Sequence, residues 1–291
     1  MLEDLEPLAL YMFLGEIAMS EFSNWQGYLV CNQGDDYFIS SPWGLNNKAV
    51  FGADSDYNTL ALSLLQYMHS LGIKIDSLKS EDSIIDMSFL NIASGLEENT
   101  STNQWSIFCS EEAMLGISNS SLTNFPKPEN LNNVDEIRYN SLSEAWGKES
   151  AIENVSQGAY ISAQQYSETL VSRINLLAQS GNDHIWPPRE LNEQGDYYGS
   201  EIIRLSNTCK IESWTKLSAA GAPSEFSIRA PLLGGISTAY VSFNHGTKGV
   251  FLLVDDEEIS PEIGDKGEIV VRRIYAQEGQ MRYGTKVRII D

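Results

Sequence analysis

From residue 210 onward the chain breaks into short apolar or alternating segments separated by glycine-bearing turns. This run restricts the possible folds more than any other part of the sequence. The segments are "KIESWTKL", "EFSIRAP", "STAYVSF", "GVFLLVD", "GEIVVRRIYA" and "QMRYGTKVRII", with GAPS, LLGG, NHGTKG and PEIGDKG between them. Segments of this length, rich in β-branched and aromatic residues and bounded by Gly and Pro, favour strands. Five or six of them within about 80 residues predict a small closed barrel or sandwich. In the last segment Met281, Tyr283, Thr285, Val287 and Ile289 fall on one side, and Arg282, Gly284, Lys286, Arg288 and Ile290 on the other. The period of two predicts that one side packs inward while a basic side faces out.

The residues before this run read differently. Residues 21 to 53 carry two apolar, aromatic runs around the turn-rich NQGDD and predict short strands. In "DSDYNTLALSLLQYMHSLG", Leu60, Leu64, Met68 and Leu71 recur at near-helical spacing, with Asp54 or Ser55 as the cap and Gly72 as the stop. The following "IKIDSLKSEDSIIDMSFL" reads as a turn and an apolar strand ending near Leu90, and helix-then-strand order suits an α/β unit. Residues 91 to 158 are dense in Ser, Asn and Glu and predict loops around one short helix near "SEEAMLG". Tyr166, Leu170, Ile174 and Leu177 then mark a helix over about 161 to 178, and "WPPRE" breaks the pattern, since proline lacks a donor and fixes its backbone.

Charge narrows the partners. Against 40 Asp and Glu stand 19 Lys and Arg, a net charge of -21. Almost all of the excess lies before residue 200, which predicts two regions with different surfaces. So acidic a chain is not expected to seek nucleic acid or an anionic membrane. The opening "MLEDLEPLALYMFLG" has acids where a signal peptide carries lysines, and its apolar run is too short to span a bilayer. Cys31, Cys109 and Cys209 form no C-x-x-C pair, as expected of reduced thiols in a cytoplasmic protein.

Catalytic patterns are scarce. The histidines are His69, inside the apolar-patterned helix, His184, in a polar stretch, and His245, in a glycine-bearing turn. Cys109 has no local nucleophile context, so its use would require His69 or His245 to be brought to it by the fold. Scattered Cys and His give no zinc spacing, and the acidic run 255 to 262 lacks the alternating ligands and central Gly of a calcium loop, so it reads as a solvated face. No dinucleotide or P-loop fingerprint occurs, and no cofactor is expected.

The C-terminal pattern resembles a known family. "ISAQQYSETLVSRINLL", "PPRE", "IIRLSNTCK" and the ending "GDKGEIVVRRIYAQEGQMRYGTKVRI" are similar to the OB-fold proteins that accompany thiolases and 3-hydroxy-3-methylglutaryl-CoA synthases. The similarity covers about residues 158 to 291, under half the chain. It implies a helix, a small zinc ribbon and an OB-fold, in a non-catalytic partner that bridges condensing subunits. The family's ribbon holds four cysteines in two C-x-x-C pairs, whereas this chain keeps Cys209 alone, so the ribbon and its metal look deleted. More faintly, "NNKAVFGADSDYNTLALSLLQYMHSLGIKIDSL" resembles the opening of a thiolase-fold condensing enzyme, truncated and without its catalytic set; an unrelated α/β region is the alternative.

The expected architecture is α+β: an α/β region over 1–135, a linker with a helix over 136–208, and a five- to six-stranded OB-fold barrel over 209–291. The resemblance implies a scaffold subunit of an acyl-CoA condensing or acyl-transfer complex in polyketide or secondary-metabolite biosynthesis. Its partners would be thiolase-like or ketosynthase-III-like subunits, and a partner would hold the CoA-linked substrate. Arg282, Tyr283, Lys286, Arg288 and Tyr166 are its candidate contacts to a partner or a phosphate. An acyltransferase or condensing enzyme using Cys109 and a free-standing OB ligand-binding module are the competing readings.

Overall fold

The computed structural model describes residues 21–96, 104–122, 124–154, 163–180, 184–188, 194, 201–244, 246–256, 260–277 and 279–290. The first 20 residues, Arg189 and Glu190 of "PPRE", and His245 therefore lie outside the described residues. Mixed helices and strands end in a closed barrel, the α+β class the sequence predicts.

The first layer is a sheet of six strands: β1 (Ser23–Trp25), β2 (Tyr28–Gln33), β3 (Asp36–Ser40), β6 (Ser77–Ser80), β7 (Gln104–Cys109) and β8 (Met114–Ser118). Their spatial order is β1-β2-β3-β8-β7-β6, antiparallel except for the β6–β7 pair. A three-stranded ribbon, β4 (Trp43–Leu45), β5 (Lys48–Val50) and β9 (Asn132–Asn133), stands beside it. Helix α1 (Tyr57–Ser70) covers the sheet, and its Leu60, Leu64 and Met68 share a core with Val30, Ile39, Leu115 and Ile117.

Asp56 caps α1, not Asp54 or Ser55. Its side chain accepts from Thr59 N at 2.9 Å, while its own N–H donates to Thr59 Oγ1 at 2.9 Å, a reciprocal box that satisfies otherwise orphaned donors. Gly72 ends the helix with φ +79°, as expected.

Three other expectations fail for local reasons. "IIDMSFL" is not a strand but opens helix α2 (Met87–Ser94), because Asp86 accepts from Phe89 N at 2.9 Å and Gly95 stops the helix at φ +70°. A short apolar run fits either state, and here the cap decides. "SEEAMLG" holds no helix: it is the turn between β7 and β8, and Met114–Ser118 is buried throughout, as in a central strand. The stretch read as loops holds a 14-residue helix, α3 (Glu136–Glu149), capped by Asp135 onto Arg138 N at 2.8 Å. It buries only Leu142, Ala145, Trp146 and Glu149, which leaves little apolar pattern to read.

Helix α4 (Ala163–Ile174) lies where the sequence placed it, with Leu170 and Ile174 buried, although Leu177 belongs to the next strand. The hairpin β10 (Leu177–Gln179) and β11 (Ile202–Arg204) leads into the barrel. Five strands close the barrel: β12 (Thr208–Leu217), β13 (Ile236–Ser242), β14 (Lys248–Leu253), β15 (Lys266–Gln277) and β16 (Gln280–Ile290). Their order is β12-β13-β14-β16-β15, with β15 returning to β12 and β14 parallel to β16, an OB-fold-like connection. "EFSIRAP" is not a sixth strand. Pro223 precedes a short 3-10 turn there, and Phe226 and Ala230 pack with Ile236.

Ile211, Val241, Phe251, Ile269 and Val287 fill the barrel. At its other end Val271 and Tyr283 join the core beneath α1, so β15 and β16 serve both halves. No helix among the described residues is long and apolar enough to cross a membrane.

Candidate functional site

The segment between β5 and α1 places backbone and acids against the barrel. A Cβ on Gly52 would lie 2.1 Å from Asp256 Oδ1, so only glycine permits this approach. Ala53 N then donates to that oxygen at 2.6 Å. Next to it Asp54, fully buried, lies 2.7 Å from Lys286 Nζ and 3.3 Å from Arg272 Nε. Lys286 also reaches Asp255 at 2.9 Å, and Arg229 Nη1 meets the same carboxylate at 3.0 Å. Arg229 Nε donates to both oxygens of Glu149 at 2.9 Å, and its guanidinium lies 3.6 Å from the centre of the Trp146 ring.

One connected set of buried charges thus joins the 52–56 segment, α3 and the barrel. Such charges are tolerated in the interior only when each is paired. Burial works to raise the pKa of Asp54, but Lys286 and Arg272 override it and hold the carboxyl below its usual range. Asp256 moves the other way: burial, reinforced by the charge on Asp54, pushes it up to about 7.

A second network fixes α1 and α4 to the last strand. Tyr283 OH donates to Asp56 Oδ2 at 2.9 Å and accepts from Asn58 Nδ2 at 2.9 Å, while its ring stacks on Phe89 at 4.2 Å. Tyr166 OH donates to Tyr283 O at 3.2 Å and accepts from Tyr283 N at 2.9 Å, bridging α4 to β16. Arg282 lies over the Tyr166 ring at 4.7 Å, and Arg288, 30% exposed, reaches Glu268 at 4.0 Å. Period-two alternation puts Lys286 on the basic outward side. The structure instead turns its ammonium to two of the protein's own aspartates at 1% exposure, because the 52–56 segment covers the outer face of the barrel there.

Beside the charge cluster runs a cleft of about 470 Å³ between α3, the 51–56 segment and the turn after β14. Trp43, Phe51, Tyr139, Leu142, Trp146 and Arg273 are among its walls. Reading the acidic run 255 to 262 as a solvated face missed this arrangement, since Asp255 and Asp256 have side chains only 14% and 7% exposed. The available signal was the pair Arg272 and Arg273 between the apolar Ile269–Val271 and Ile274–Ala276, a sign that acids from elsewhere cover it.

The structure does not bring Cys109 and His69 together, and the alternative partner His245 lies outside the described residues. Cys109, half-buried in β7, is pushed up to about 12 by burial and by the neighbouring Asp82, the reverse of what a thiolate nucleophile needs. Its charge couples to Tyr57 at the first turn of α1, whereas His69 occupies the last turn. Twelve residues at 1.5 Å each separate those positions by about 18 Å. His69 instead lines a smaller pocket of about 290 Å³ with Gln66 and Arg204.

The residues do not fit a zinc ribbon. Cys209 sits in the barrel core rather than on the β10–β11 hairpin, and burial pushes its thiol up to about 12. Among the described residues no group of His, Cys, Asp and Glu is arranged to hold a metal ion.

No family profile matches the chain, and no curated protein matches it. A solved structure titled "Ltp2-ChsH2(DUF35) aldolase" is similar at 17% identity, covering 38% of this chain and 82% of that one, with a TM-score of 0.27.

Proposed function

We propose that this protein is a non-catalytic accessory subunit that bridges thiolase-like or ketosynthase-III-like subunits in an acyl-CoA condensing or acyl-transfer complex of polyketide or secondary metabolism. One observation carries the reading. The five-stranded barrel with its parallel β14–β16 pair follows a helix, the helix-then-barrel order that the family resemblance implies, with the β10–β11 pair and, among the described residues, no zinc ribbon between them. The environment of Cys109, with a raised thiol pKa and Asp82 rather than His69 beside it, speaks against the competing covalent mechanism.

The partner contact centres on the side of β16 next to α4. Arg282 presents charge there over the Tyr166 ring, Arg288 adds charge further along the strand beside Gly27 and Glu268, and Tyr166 and Tyr283 fix the strand through their mutual hydrogen bonds. Lys286 supports the strand from inside the protein. The tagged protein, purified from its native host, should bring down a condensing-enzyme subunit. The double variant Arg282→Glu, Arg288→Glu should lose at least about tenfold of that recovery with an unchanged melting temperature, since charges at an interface rim act on association rather than on the fold. Recovery of the protein alone, or with the variant's partners undiminished, would contradict the proposal.

A further inference from the structure

Arg229, Arg272 and Lys286 each contact two carboxylates. Arg273, the next residue along β15, forms no ion pair among the described residues. Its Nη2 lies 3.4 Å from Ala53 O, its Nε is buried without a hydrogen-bond partner, and its guanidinium lies 4.2 Å from the Trp146 ring centre. A guanidinium offers five donors in a planar fork suited to carboxylate or phosphate, and most of these donors are unused among the described residues. Arg273 also lines the 470 Å³ cleft, a volume in the usual range for small organic ligands.

Three of the four acids that line the same cleft are turned to partners inside the protein, and the fourth, Asp135, is exposed. Asp56 accepts from Thr59 N and from Tyr283 OH, and Asp135 accepts from Arg138 N. Asp255 meets Arg229 and Lys286, and Asp256 accepts from Ala53 N beside Arg272. Among the described residues the carboxylate open to an amine is that of exposed Asp135, at the start of α3, whereas deeper in the cleft an anion finds the Arg273 guanidinium, whose charge also acts on Asp56. Trp43, Phe51, Tyr139 and Leu142 give the wall aromatic and apolar surface, alongside polar Asn133, Arg138 and Ser143.

We propose that this cleft binds a small organic anion, a carboxylate or phosphate carried on an apolar or aromatic body, with the oxyanion on Arg273 and the body between α3 and Phe51. The inference does not depend on the accessory role. Gly147 supplies a second handle, because it lines the cleft from α3 and a Cβ there would meet nothing within 4 Å. Gly147→Leu should fill the cleft without disturbing the helix, where glycine is the poorer helix former.

Calorimetric titration of the full chain with octanoate, phenylacetate and phenyl phosphate, against octanamide and phenylacetamide, tests the proposal. At least one anion should bind with a Kd below about 1 mM, the level of a weak but specific site. Its neutral analogue should bind at least about tenfold more weakly, and Arg273→Gln and Gly147→Leu should each cost a similar factor. The carboxylate and phosphate arms tell which oxyanion fits. Absence of binding by all three anions, amides that bind as well as acids, or a folded Gly147→Leu protein with unchanged affinity would overturn the proposal.

Discussion

Lys286→Met is expected to lower the melting temperature by roughly 10 °C. The ammonium is 1% exposed and lies between Asp54 and Asp255 at 2.7 and 2.9 Å. Its removal leaves two carboxylates in the interior with one cation fewer, and breaking a buried pair in this way costs about 3–5 kcal/mol. In a chain of this size each kcal/mol shifts the midpoint by roughly 2–4 °C. Adding Asp54→Asn should recover part of the loss, because the unpaired charge is the larger part of the penalty. Lys127→Met, which removes a cation 78% exposed and 3.5 Å from Glu112, should leave the midpoint nearly unchanged. Thermal melts by circular dichroism decide the matter, and a Lys286→Met midpoint within about 2 °C of wild type would show that the lysine is not held between these acids.

Asp256→Asn is expected to stabilise the protein at pH 8 and to lose that advantage toward pH 4. The carboxyl is pushed up to about 7, first by burial and then by the charge of Asp54. Between its ordinary range and pH 7 the unfolded chain has released this proton while the folded chain keeps it, so stability falls as pH rises and the full penalty is present above 7. Each pKa unit is worth about 1.4 kcal/mol, which makes the penalty on the order of a few kcal/mol. Asparagine cannot ionise and escapes it. Asp54, held low, acts in the opposite sense, but its contribution is lost only as pH falls below the ordinary aspartate range. Glu149 and Glu268, both raised chiefly by burial, give wild type and variant the same background slope. Urea denaturation from pH 4 to 8 should show a gap between variant and wild type that widens with pH; a constant gap would contradict the assignment.

The residues of these two predictions also mark the limit of the sequence. The barrel was legible because its strands alternate and glycine turns separate them, and α1 because Leu60, Leu64 and Met68 form one stripe. Helix α3 was not, because only four of its residues are buried and one of these is Glu149, whose place inside depends on Arg229 eighty positions away. The charge cluster combines Asp54, Asp255, Arg272 and Lys286, whose proximity exists only after the first sheet docks on the barrel. Alternation correctly separated the two sides of β16, but an outward side is solvated only where nothing covers it. Residues 52–56 cover Lys286 and leave Arg288 partly open.

The central claim, that the chain assists catalysis without performing it, is most directly tested by turnover. Acyl-CoA condensation and thiolysis should be measured for the isolated chain, for the co-purified partner alone and for the reassembled complex, each with wild-type protein and with Cys109→Ala. The account predicts no turnover by the isolated chain, a higher rate for the complex than for the partner alone, and a Cys109→Ala complex within about tenfold of wild type, since losing a covalent nucleophile costs far more. Turnover by the isolated chain that disappears in Cys109→Ala would contradict it.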